Sequence, residues 1–84
     1  MDRALIMENL AKAEEHVVLG QEHVWNQRKL VSRLERDGHD TTTARALLGL
    51  FENLLALHIE DRDRLARDLA ATERDTSAKP DTPR

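Results

Sequence analysis

The sequence predicts an all-α protein, an antiparallel helical hairpin that dimerises into a four-helix bundle. Three observations predict it. Two long stretches carry apolar residues at alternating spacings of three and four, one turn signal separates them, and each apolar face is too broad for a single hairpin to cover. With 84 residues and no cysteine, an isolated core is marginal and no disulfide or thiolate zinc site can supplement it. A second copy is the economical cover, because a two-fold axis reuses one patch against itself.

The first helix is expected over about 2–37. Ile6, Leu10, Ala13, Val17, Gly20, Val24, Val31 and Leu34 trace one face, interrupted only by Gln27, while Glu8, Glu15, Glu22, Lys29 and Arg36 recur every seven on the other side. Asp37-Gly38 ends this helix, since glycine accepts the left-handed conformation that closes a C-terminus and Arg33 and Arg36 suit its negative pole. The turn is placed at 38–40, with Asp40 or Thr41 capping a second helix over about 41–72. The remainder, 73–84, has two prolines and little that is apolar, and reads as a disordered polar tail.

On the second helix Leu47, Leu50, Phe51, Leu54, Leu57, His58, Asp61, Leu65 and Leu69 project to one side, which Leu48 and Leu55 widen; Val18 and Trp25 widen the first helix likewise. The expected hairpin seam is Val17, Val24, Val31, Leu47, Phe51 and Leu54, and the expected contact between chains is Val18, Trp25, Leu48 and Leu55. Counting outward from the turn sets Val31 opposite Leu47, Val24 opposite Leu54 and Gly20 opposite His58. Gly20 and Gly49, each inside a helix at a cost of up to about 1 kcal/mol relative to alanine, imply close contact there.

Composition excludes several functions. The net charge is −3 with both signs interspersed, which argues against a nucleic-acid partner. No uninterrupted apolar run suits a signal peptide or a membrane span, so a cytoplasmic protein is expected. Scattered glycines form no phosphate-cradling loop, and neither Ser32 nor Ser77 sits on a nucleophile turn, so no enzyme activity is expected. The cations Arg28, Lys29, Arg33, Arg36 and Arg45 near the turn are interleaved with Glu35, Asp37 and Asp40 and read as a solvated tip.

The histidines are the chemically suggestive residues. Glu15-His16-Val17 returns as Glu22-His23-Val24, a heptad that separates His16 and His23 by about 10.5 Å along the axis, too far for one metal ion. Chelating helical pairs stand three or four apart, and here only His58 with Asp61 does so within a helix. The principal expectation is therefore no cofactor, with His58 in a buried polar layer and His16 and His23 on a helix flank. The alternative is a zinc, copper or iron site built from His58, His23, His16 and Asp61 across the helices.

Residues 34–65, "LERDGHDTTTARALLGLFENLLALHIEDRDRL", resemble a group of small bacterial two-helix proteins of uncharacterised role, which implies the hairpin and brings no activity or ligand. "HVVLG", His16 to Gly20, resembles the segment around the phosphorylated histidine of histidine phosphotransfer domains. That resemblance implies a phosphate-accepting His16 beside a glycine that lets a response regulator approach, although Leu19 stands where the family has a basic residue.

Overall fold

The computed structural model describes residues 2–78, with side chains through Arg74. Two helices, α1 (Arg3–Arg36) and α2 (Thr42–Ala78), fold back on each other as an antiparallel hairpin. Helix α1 closes as its sequence dictates. Gly38 takes φ 75°, its N–H donates to the Glu35 carbonyl, and the His39 N–H donates to the Leu34 carbonyl, the paired bonds of a Schellman ending. Asp40 then accepts both the backbone N–H of Thr42 at 3.0 Å and its hydroxyl at 2.8 Å, satisfying a free donor in the first turn of α2. These two bonds hold the Asp40 carboxyl below its ordinary pKa.

Helix α2 continues past residue 72, where the sequence places the start of the tail. Nothing between Thr72 and Ala78 breaks a helix, and the first ring that bars one is Pro80. Glu73 is tied to Arg3 at 2.9 Å, which joins the two helices at the open end. The rest of the expected tail, 79–84, lies outside the described residues.

Packing follows the predicted face of α1, where Ile6, Ala13, Val17, Val24, Gln27 and Val31 are buried. The face of α2 is corrected. Leu47 and Leu54, expected in the seam, are exposed at 39% and 43%, whereas Ala44 and Leu65 are buried and Leu48, Phe51, Leu55, His58 and Leu69 are half-buried. Those residues fall three, four or seven apart, so they form one helical stripe; it keeps Phe51, His58, Leu65 and Leu69 and exchanges Leu47 and Leu54 for Leu48 and Leu55, a rotation of less than one residue's ~100° from the stripe read off the sequence.

Register shifts too. Gly20 meets Leu55 instead of His58, and His58 lies beside His16. The displacement is three residues, close to one helical turn. Gln27, the polar interruption of the α1 face, donates to the Ala44 carbonyl at 3.0 Å and anchors the start of α2 in this register.

Candidate functional site

The two flanks of the hairpin have different chemistry. Along one, cross-helix ion pairs join Arg28 to Glu52 at 3.2 Å and Glu35 to Arg45, with Arg3 to Glu73 at the open end. Heptad spacing explains their alignment: Arg28 and Glu35 are seven apart on α1, and Arg45, Glu52 and Glu73 are seven and then three times seven apart on α2. All of these groups are well exposed, so each pair contributes at most about 1 kcal/mol.

The opposite flank is apolar. Leu47 and Leu54 recur at seven, as do Leu50 and Leu57, and all four are exposed, Leu50 at 51% and Leu57 at 60%. On α1 the exposed Leu5 and Leu19 lie on the same side as His16 and His23. An open groove of about 310 Å³ runs between the helices here, lined by His16, Leu19, Gly20, His23, Phe51, Leu54 and His58.

Within the groove the histidines separate into two settings. The rings of His16 and His58 stand 5.1 Å apart, centroid to centroid, inclined by 44°. His23 stacks beside Phe51 at 5.6 Å and 27°. Asp61, the fourth candidate ligand, is paired with Arg64 and shares with His16 a neighbouring groove that Asn9, Lys12 and Leu65 also line. The structure thus brings together His16 and His58, and leaves His23 and Asp61 with other partners. Among the described residues no three His, Asp or Glu side chains converge on one point. No carboxylate is hydrogen-bonded to His58 among the described residues, so the expected buried polar layer is not completed within one chain.

The residues assigned to the contact between chains are divided as well. Leu55 lies over Gly20 of its own hairpin, and Leu48 is half-buried one heptad earlier on the same stripe. Val18 and Trp25 are exposed, seven apart; Trp25 has Lys29 Nζ 5.7 Å from its ring centroid and lines a shallow depression with Arg28, Ser32 and Arg36. That is the ion-paired side. The contiguous exposed apolar surface is the Leu19, Leu47, Leu50, Leu54, Leu57 flank. Its signal was present in the sequence as the heptad separation of charged from leucine positions on α2.

The contact between Gly20 and Leu55 also bears on the phosphotransfer resemblance. The position over Gly20 is occupied by Leu55 of the same chain, so within the hairpin this glycine serves a helix crossing, while the side of His16 opens on the groove. Compared with protein-family models, with curated proteins and with solved structures, the chain finds no match.

Proposed function

We propose that the protein is a non-enzymatic interaction module that works as a self-associated pair, two hairpins meeting across their leucine flanks as a four-helix bundle. The observation that carries this reading is the sidedness of the hairpin: the exposed leucines stand along one flank, while the other carries the ion pairs together with Val18 and Trp25. A second copy fits because the patch is apolar on both helices at the same level, and a two-fold axis sets it against itself. Each leucine that goes from half-exposed to buried contributes on the order of 1 kcal/mol, half of the full-burial value, and the two-fold counts it twice.

A membrane is a poorer occupant. No helix among the described residues is long and apolar enough to cross a bilayer, and the leucine flank is bordered by Asp61 and Arg64 and not by a row of cations facing lipid headgroups. The ion-paired flank, with Trp25 upon it, remains outward in the pair and is the surface offered to other proteins.

Light scattering of the full chain tests the association. The expected mass is about 19 kDa, twice the 9.6 kDa of one chain. Leu54→Glu is expected to return it to the single-chain value with helicity retained, and Trp25→Glu to leave it doubled. A wild-type chain that runs as a folded single copy at tens of micromolar removes the proposal.

A further inference from the structure

The imidazoles of His16 and His58 are the only pair of metal-ligating side chains in the groove that face each other without another partner. Neither makes a hydrogen bond within the chain among the described residues, and each rests against the other at 5.1 Å. That spacing lies in the ordinary range of packed rings and also suits a shared ion. Two imidazoles bound to one zinc-like ion at about 2.0–2.1 Å place their ring centroids about 3.2 Å from the metal, and a tetrahedral angle then separates the centroids by about 5.2 Å.

We propose that His16 and His58 form half of a four-imidazole site for a divalent transition-metal ion, completed by the same two residues of a second copy. The inference rests on the association across the leucine flank. Hairpins set side by side, with their turns at the same end, bring every level of that flank opposite its own copy. The His16–His58 level then meets itself at the axis, next to Leu19 and Leu54. Among the described residues a single hairpin supplies two donors and no third, since Asp61 is held by Arg64 and His23 by Phe51, so the proposed site is incomplete without the second copy.

Nitrogen-only coordination selects the metal class. Neutral imidazole suits zinc or copper and is a poor match for magnesium or calcium, which require oxygen ligands. The apolar lining of Leu19, Phe51 and Leu54 would exclude water from the shell around the ligands, which strengthens their hold on the ion. Neighbouring charged groups are Lys12, Asp61 and Arg64, in the adjoining groove on the side of His16.

The test uses full-length protein stripped with chelator and titrated with cobalt(II), whose visible absorption reports four-coordinate geometry, then with zinc(II) as competitor, with mass followed by light scattering. The expected result is one ion per two chains in a particle of doubled mass, the cobalt spectrum displaced by zinc. His16→Ala and His58→Gln should each abolish the absorption while circular dichroism stays helical, and His23→Ala should retain it. One ion per chain, or binding unaffected by His16→Ala, overturns the shared site. A doubled mass with no bound ion overturns the metal site and leaves the leucine-flank association standing; a single chain that binds nothing overturns both.

Discussion

Leu55 of α2 lies directly over Gly20 of α1: a Cβ added to the glycine would stand 3.1 Å from the leucine Cδ1 and 3.7 Å from its Cα. The relationship fixes the register of the hairpin and decides which leucines are left outside it. It also separates the two helical glycines, since a Cβ on Gly49 would meet nothing within 4 Å. Gly49→Ala is expected to stabilise the protein by about 0.5–1 kcal/mol, the helix-propensity gain alone. Gly20→Ala should gain less, because the Leu55 side chain must move by a few tenths of an ångström. Thermal melts of the two variants check the order; an equal or larger gain at Gly20 would show that the helices are not in contact there.

Adjacent leucines are expected to fail in different ways. Leu55→Glu places a carboxylate against Gly20 and should lower the stability of the hairpin itself by about 2–4 kcal/mol, seen as lost helicity or an earlier urea midpoint. Leu54→Glu, one residue away and outside the seam, should leave the helical signal of a single hairpin and alter mass only. Identical behaviour of the two variants would contradict the rotation of α2 described above.

Gly38 sits at φ 75° with both Schellman bonds formed around it. A side chain in that conformation costs roughly 1–2 kcal/mol, so Gly38→Ala should destabilise by about that amount and Gly38→Asn by less. Urea denaturation of both variants at neutral pH checks the prediction, and a neutral Gly38→Ala would mean that the turn is not closed this way.

Asp40 predicts an acid response. Its carboxylate accepts two bonds from Thr42 and its folded pKa lies below the ordinary 3.8. The sign follows: the ionised cap stabilises fully above the unfolded value, and the contribution disappears as pH falls through the lower, folded value. The difference in melting temperature between wild type and Asp40→Ala should therefore be constant from pH 7 to about 5 and shrink toward pH 2. A difference that grows on acidification would exclude this cap.

Much of the fold was legible because local chemistry and long-range pattern agree at a few residues. Asp37-Gly38 marks a helix end by backbone conformation alone, and Val17, Val24 and Val31 define the α1 face because glutamates and cations occupy the far side. The orientation of α2 was not legible in the same way. Leu47 and Leu48, like Leu54 and Leu55, are chemically equal neighbours, so hydrophobicity fits two rotations of the helix. Packing against Gly20 chooses one of them, and no count along α2 contains that information. Counting from the turn set His58 opposite Gly20, whereas the structure sets it beside His16, so which two histidines meet depended on a register that the count does not supply.

The uncovered leucines give the amount of chain present a physical consequence. In the proposed pair association is second order, so at low abundance a doubling of synthesis would nearly quadruple the number of pairs, while an unpaired excess would keep an oily surface open to chaperones and proteases. Expression level, read through Leu50, Leu54 and Leu57, would then set both how much of the working form exists and how long the surplus survives.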